Sequence, residues 1–175
     1  GEERLALEAF VQHAPADVLL VIVPRHPQRF DEVAALIKSR GLGVQRRSMN
    51  EAVSPSTRVW LGDSLGEMFA YYMACDIAYI GGSLLPFGGQ TLIEACSVGK
   101  PVLIGPHTYN FAEASRLAVE CGAALRVSSA EDAALQLQEL FSQHERMTRM
   151  GRAGMDFVRA NRGATERALA LISNA

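Results

Sequence analysis

Two glycine pairs, a glutamate and an arginine are the residues of this chain best suited to hold an anionic ligand. Gly81-Gly82 follows an apolar run ending at Ile80, and Gly88-Gly89 precedes a helical pattern that carries Glu94. Glycine has no Cβ, so a chain turning on such a pair can bring backbone N–H groups close to an oxyanion. A helix start adds the positive end of its dipole. A carboxylate one turn into that helix can accept hydrogen bonds from sugar hydroxyls. A second apolar run, Val102–Ile104, follows Lys100-Pro101, so the whole set lies between two strands. Glycine pairs also make plain tight turns. Two pairs, a helix entry and a carboxylate between two strands favour a nucleotide or nucleotide-sugar site.

These residues need strands and helices to position them, and the chain alternates the two. Val18–Val23 is a continuous apolar run, as in a strand buried on both faces, and Pro24-Arg25-His26-Pro27 stops it. Arg29–Arg40 reads as a helix with Phe30, Val33, Ala34 and Ile37 at core-facing spacing and Gly41 as its stop. Val44–Arg46, Val59–Leu61, Ile77–Ile80, Val102–Ile104 and Ala124–Val127 read as further strands. Leu65–Ala74, about Gln90–Ser97 and Phe111–Glu120 read as helices between them, and from Glu131 onward only helical patterns remain. This order predicts an α/β, Rossmann-like, doubly wound domain with a parallel six-stranded sheet and C-terminal helices. Ligands in such sheets bind beyond the carboxyl ends of the strands. Arg25, Asp63, Gly81-Gly82 and Gly105-Pro106-His107 all fall there. No G-x-G-x-x-G follows the first strand, against a nicotinamide or flavin dinucleotide, and no G-x-x-x-x-G-K-[ST] suggests a P-loop.

At 175 residues and 49% apolar composition, the chain reads as a single domain over 1–175. A net charge of −2 gives no signal for nucleic acid. The charge is uneven: residues 1–143 carry 11 basic and 16 acidic side chains, whereas 144–175 carry 6 arginines and 3 acids. Such a tail is either a solvated helix face or a contact for an anionic surface, another domain or lipid headgroups. Cys75, Cys96 and Cys121 are odd in number and far apart, which fits free thiols in a reducing compartment. No Cys/His spacing points to a metal. No leader-like segment opens the sequence, and no apolar run nears the ~20 residues that span a bilayer. The absent start methionine is expected of a fragment or a processed chain, and equally of a cloning scar.

VIVPRHPQRF (21–30), LGDSLGEMFAYYMACDIAYIGGSL (61–84), GGQTLIEACSVGKPVLIGPHTYNFAE (88–113) and GAALRV (122–127) together resemble the C-terminal half of 3-deoxy-D-manno-octulosonic acid (Kdo) transferases. These are GT-B glycosyltransferases of lipopolysaccharide synthesis. The resemblance runs from about Val18 to Val127, and the combination of PRHP, GD-x-x-GE and GPH-x-x-NF-x-E is what makes it specific. It implies transfer of Kdo from CMP-Kdo to a lipid A precursor at the cytoplasmic face of the bacterial inner membrane, without a metal or other cofactor. It also implies two Rossmann-like domains, of which this chain is the donor-binding one. The acceptor domain, with the catalytic carboxylate and the membrane anchor, is expected to be absent here. The isolated domain is expected to be soluble and inactive.

Roles follow from the resemblance position by position. Arg25 matches an arginine suited to phosphate or the Kdo carboxylate, and His26 beside it is as readily a cap or core residue. Asp63, Ser64, Gly66 and Glu67 match a segment near the nucleotide, although Ser64 and Glu67 also have capping-box spacing. Gly81, Gly82 and Ser83 form the first glycine turn. Gly88, Gly89, Gln90 and Thr91 match the phosphate-binding helix entry, and Glu94 the carboxylate that holds the ribose. Asn110 and Glu113 match NF-x-E, and equally suit an N-cap with an acid at the third position. Two departures stand out. The family usually has GGHN where this chain has Gly88-Gly89-Gln90-Thr91, so two hydrogen-bonding side chains remain without an imidazole. The wider GT-B pattern often places a second glutamate eight residues before the ribose carboxylate, where this chain has Pro86. A UDP-sugar GT-B transferase or epimerase, and a non-catalytic nucleotide-sensing domain, share much of this outline. Preference for CMP over UDP separates the UDP-sugar enzymes, and a full-length gene without an upstream domain carrying the acidic base would favour the sensing domain.

Overall fold

The apolar runs become six three-residue strands, and helices fill the intervals. A computed structural model of the chain describes residues 1–161; the last helix expected, over about 164–172, lies outside them. The strands are β1 (Leu20–Ile22), β2 (Val44–Arg46), β3 (Val59–Leu61), β4 (Ala78–Ile80), β5 (Val102–Ile104) and β6 (Ala124–Arg126). The helices are α1 (Glu2–His13), α2 (Phe30–Ser39), α3 (Met68–Ala74), α4 (Ile93–Ser97), α5 (Ala112–Glu120), α6 (Ala130–Ser142) and α7 (His144–Asn161). All four strand pairings are parallel. The alternation therefore yields the doubly wound α/β arrangement that it predicts.

The pairing departs from one expectation. The strands bond as two triplets, β1-β3-β2 and β4-β5-β6, instead of one continuous sheet of six. β1 and β4 are edge strands and do not bond to each other.

Side-chain alternation builds the cores. Ala78, Ile80, Val102, Ile104 and Ala124 face Leu92, Ala95, Cys96, Ala118 and Val158 from α4, α5 and α7. Leu103 faces the opposite way, toward Val127, Ala133, Leu140 and Met150. The second triplet is thus covered on both faces, as an apolar parallel sheet requires. In the first triplet, Val59 and Leu61 pack on Leu7 and Phe10 of α1 and on Val33, Ala34 and Ile37 of α2. Each fully buried Leu or Ile here contributes roughly 1.5–3 kcal/mol. Trp60 points to the other face and meets Tyr71 of α3 edge-on, with ring centroids 5.7 Å apart.

Two helices start later than their patterns suggest. α3 begins at Met68 because Gly66 takes φ +76°, so Glu67 is the N-cap and the Ser64–Glu67 capping box does not form as such. α4 begins at Ile93 because Gly88 and Gly89 take φ +89° and +75° and leave Gln90-Thr91 outside the helix. α1 was not expected at all, and it places Leu7 and Phe10 in the first core. α7 packs tightly on α4 because a side chain at Gly151 would run into the Gly99 carbonyl.

Candidate functional site

The loops after β4 and β5 form one braced unit. The Ser83 hydroxyl is fully buried; it donates to the Ile80 carbonyl at 2.5 Å and accepts from the Gly105 amide at 2.8 Å. The Ser83 carbonyl accepts from the His107 amide at 2.9 Å. Both ends of Ser83 are thereby spent on structure. The Arg126 guanidinium closes the brace by donating to the Gly105 carbonyl at 2.7 Å.

The first glycine pair already holds an anion, and it belongs to the protein. Gly82 N–H donates to Glu2 Oε2 at 2.6 Å, and Leu85 N–H donates to Glu2 Oε1 at 2.7 Å. Glu2 is only 8% exposed. Nothing local in the sequence marks it, since its partners lie some eighty residues away. Its occupation of these amides leaves Gly81-Gly82 as scaffold in this structure.

The second pair is different. Asn110 packs over Gly88, and its Nδ2 donates to the Phe87 carbonyl at 3.2 Å while its amide donates to the Gly88 carbonyl at 3.1 Å. Tyr109 Oη donates to the Pro86 carbonyl at 2.6 Å. The Gly89 amide donates to the Gly82 carbonyl at 2.7 Å. These bonds fix the loop, and among the described residues none of them uses the Gln90 or Thr91 amide. Arg25, exposed beyond β1, reaches across to donate from Nη1 to Gln90 Oε1 at 2.7 Å. A guanidinium therefore stands at the segment that carries the two open amides. The amides lie before α4 and not in its first turn, so they act as individual donors more than as the end of a helix dipole. Glu94 is exposed; its backbone carbonyl accepts from the Ser97 hydroxyl at 2.7 Å, and among the described residues its carboxylate has neither a hydrogen-bond nor an ion partner. It is close enough to Tyr72 to help raise that phenol to about 12, after burial, the main cause.

The motif residues after β3 are tied elsewhere. Asp63 accepts from the Ser48 amide at 2.8 Å and the Ser48 hydroxyl at 2.6 Å, and Arg46 Nε lies 3.3 Å away. Burial pushes its carboxyl up, but Ser48 and Arg46 outweigh that and the net shift is down. Ser64 Oγ and Tyr71 Oη share a hydrogen bond of 2.6 Å. Glu67 pairs with Arg47 at 2.9 Å, and the Ser64 hydroxyl foremost, with Arg47, keeps its carboxyl below the ordinary value. Gly66 is exposed in its left-handed turn. His26 is exposed and caps the Pro27–Arg29 turn through its backbone alone. Glu113 is an exposed helix residue paired with Arg116 at 2.7 Å, and Phe111, not Asn110, is the N-cap of α5. The structure thus brings Arg25, Gly88, Gly89, Gln90 and Thr91 together and separates Asp63 and Glu67 as a second, internally neutralised group.

In the basic tail, Arg146, Arg149 and Arg159 of α7 pair with Glu139, Glu145 and Asp156. Most of the cationic charge of this helix is therefore spent locally. Among the described residues no helix is long and apolar enough to cross a membrane.

A parallel α/β architecture with polar loops at the strand exits is the class of doubly wound fold in which ligands bind beyond the carboxyl ends of the strands. The solved C-terminal CMP-Kdo binding domain of WaaA from Acinetobacter baumannii superposes with a TM-score of 0.86 at 29% identity, over 90% of this chain and 83% of that one. No family model matches the chain. The 3-deoxy-D-manno-octulosonic acid transferase of Bordetella pertussis is 43% identical over 97% of this chain. That of Haemophilus influenzae is 41% identical over 98% of it. The chain belongs to this Kdo transferase family. It spans 41% of the length of each of these two relatives.

Proposed function

We propose that this chain is the part of a Kdo transferase that holds the CMP-Kdo donor. The whole protein would transfer Kdo to a lipid A precursor in lipopolysaccharide synthesis, at the cytoplasmic face of the inner membrane. The observation that carries the reading is the pair of open amides at Gln90 and Thr91 beside the Arg25 guanidinium. A nucleoside monophosphate sugar with a phosphodiester and a carboxylate needs such donors, and a guanidinium fork fits either anion. Binding would free Arg25 from Gln90, leaving both side chains to contact the ligand. Glu94, a carboxylate with lone pairs to spare, would accept from the ribose hydroxyls. Transfer also requires a base to activate the acceptor hydroxyl. No residue of this chain is assigned that role, which falls to the remaining length of the whole enzyme, as do acceptor and membrane contacts. The chain alone is then a donor binder without transferase activity.

Titration of the purified chain with CMP, UDP and NAD tests this. CMP should bind best, and Glu94→Ala should weaken it by roughly 10- to 150-fold, the worth of a hydrogen bond to a charged group at about 1.5–3 kcal/mol. Circular dichroism should not change. Preference for UDP would instead support a UDP-sugar transferase or epimerase, and CMP binding no tighter than NAD would overturn the site.

A further inference from the structure

Two adjacent acids at the start of α1 reach the two halves of the site, and their bonds close into a ring. The Glu2 carboxylate accepts from the Gly82 amide at 2.6 Å and the Leu85 amide at 2.7 Å, with the Tyr79 hydroxyl 3.4 Å away. The Gly82 carbonyl accepts from the Gly89 amide at 2.7 Å, and Gly89 is followed directly by Gln90. Gln90 Oε1 accepts from Arg25 at 2.7 Å. Four residues beyond Arg25, Arg29 donates from Nη1 to Glu3 Oε1 at 2.7 Å, and Glu3 follows Glu2 in the chain. The ring is thus closed at the first turn of α1.

Both acids are held in place by more than their own helix. Glu2 is buried, and among the described residues no cation pairs with it; N–H donors balance its charge. Such a group is costly to bury unless these bonds form, and its loss would leave the Gly82 and Leu85 amides without a partner. Glu3 also accepts from the Gly1 amine at 2.9 Å. Behind them, Leu7 and Phe10 seat α1 in the first core, and the helix touches both α2 and α6. β1 and β4 do not bond to each other, so no shared ladder between them sets Arg25 against Gln90.

We infer that Glu2 and Glu3 are positioning residues for the donor: together they set the distance between the Arg25 guanidinium and the Gln90-Thr91 amides, and both act through other residues. The inference rests on the donor reading proposed above. A phosphodiester shared by a guanidinium and two amides needs those donors at one spacing, so an error of about 1 Å weakens all of them together. Glu2 governs the amide side and Glu3 the guanidinium side. Loss of either acid therefore lowers affinity by the same route.

Calorimetry with CMP on Glu2→Gln, on Glu3→Ala and on each combined with Arg25→Ala tests this, beside amide spectra recorded without ligand. Glu2→Gln turns an NH2 toward one of the two amides that the carboxylate serves. It should weaken CMP by at least about tenfold in the parent and by less than about threefold once Arg25 is gone, because the spacing then no longer matters. Glu3→Ala should show the same dependence on Arg25, and it leaves the Gly82 and Leu85 amides paired should Glu2→Gln fail to fold. In both variants the Gln90 and Thr91 amide signals should move. Leu140→Val, a core change in α6 that packs against Leu103 and Val127, should lower Tm and leave those signals and the affinity as they are. A lowered Tm with unmoved Gln90 and Thr91 signals in the two acid variants would overturn the inference and make the start of α1 purely structural. So would equal losses of affinity with and without Arg25. A parent chain that does not bind CMP would sink the donor reading alone, and the amide signals would still decide the role of the acids.

Discussion

The exits of β3 and β4 both carry residues that the family motifs associate with the donor, yet the structure treats them in opposite ways. After β3, Asp63, Ser64 and Glu67 are each bound to a protein partner: Ser48 with Arg46, Tyr71, and Arg47. Beyond β4, the segment following Gly88-Gly89 keeps two amides free of hydrogen bonds among the described residues, faces Arg25, and leads to Glu94, whose carboxylate has no partner among them. A motif recurring at strand ends therefore contains two kinds of residue, those that hold the loops and those the loops hold out to a ligand. Substitutions in the first kind should act on stability, and in the second on affinity.

The largest effect should come from Gly105→Ala, which breaks the brace under the open loop. A Cβ there would run into the Ser83 carbonyl, and backbone cannot yield as the end of a side chain can. Overpacking of this kind costs about 3 kcal/mol, a Tm loss of roughly 6–12 °C for a domain this size. A thermal scan with unchanged Tm would show that the Ser83 loop adapts freely.

Next is Asp63→Asn. Hydrogen bonds to a charged group contribute about 1.5–3 kcal/mol, so urea unfolding at pH 7 should show a loss in that range. The folded Asp63 carboxyl lies below its ordinary value of 3.8. Its contribution is therefore complete above that pH and disappears as pH falls through the lower folded value. The gap between parent and variant should be constant from pH 7 to 5 and close below about pH 3.8, while CMP affinity stays the same. A weaker CMP complex would move Asp63 into the ligand-facing group.

Arg25→Ala should reverse that pattern. Stability should barely change, since the residue is exposed and its one side-chain bond among the described residues is to the half-buried Gln90 amide. CMP binding should weaken by about tenfold, or 1.4 kcal/mol, and lose part of its salt dependence. Arg25→Lys should recover only part of the loss, because an ammonium keeps the charge without the fork. Equal affinity for all three proteins in calorimetry would place the phosphate elsewhere.

Sequence reasoning reached the strands because a buried parallel strand must be apolar on both faces, and that pattern is local. Val102–Ile104 was legible for this reason. α1 was not, because Glu2, Glu3, Arg4 and Glu8 obscure the few apolar residues that it buries. The starts of α3 and α4 fall later than their patterns suggest because Gly66, Gly88 and Gly89 take positive φ, and a glycine's identity alone does not fix the sign of its φ. For the site, residue types pointed to Arg25, the second glycine pair and Glu94. They could not separate these from Asp63, whose partner Ser48 lies on another loop. Nor could they reveal Glu2, whose bonds to Gly82 and Leu85 have no sequence signature. Division of labour among motif residues is a property of hydrogen-bond partners, and partners far apart in sequence are invisible before the fold is known.

The smallest effect should come from Glu113→Ala, and it sharpens the comparison from its weakest side. By motif Glu113 belongs with Asn110, four residues from the second glycine loop's clamp at Tyr109. By structure it is an exposed member of a Glu113–Arg116–Glu120 cluster on α5. Exposed pairs of this spacing contribute little to helix stability, and Glu120 can keep Arg116 occupied when Glu113 is lost. The urea midpoint should therefore be indistinguishable from the parent's, and CMP affinity should change by less than about twofold. Asn110→Ala makes the contrast, because it removes the bond to the Phe87 carbonyl and the side chain that packs over Gly88. Loss of CMP affinity in the Glu113 variant alone would mean that the acid turns into the cleft when the donor binds, and the motif would then outrank the partner list as a guide to the site.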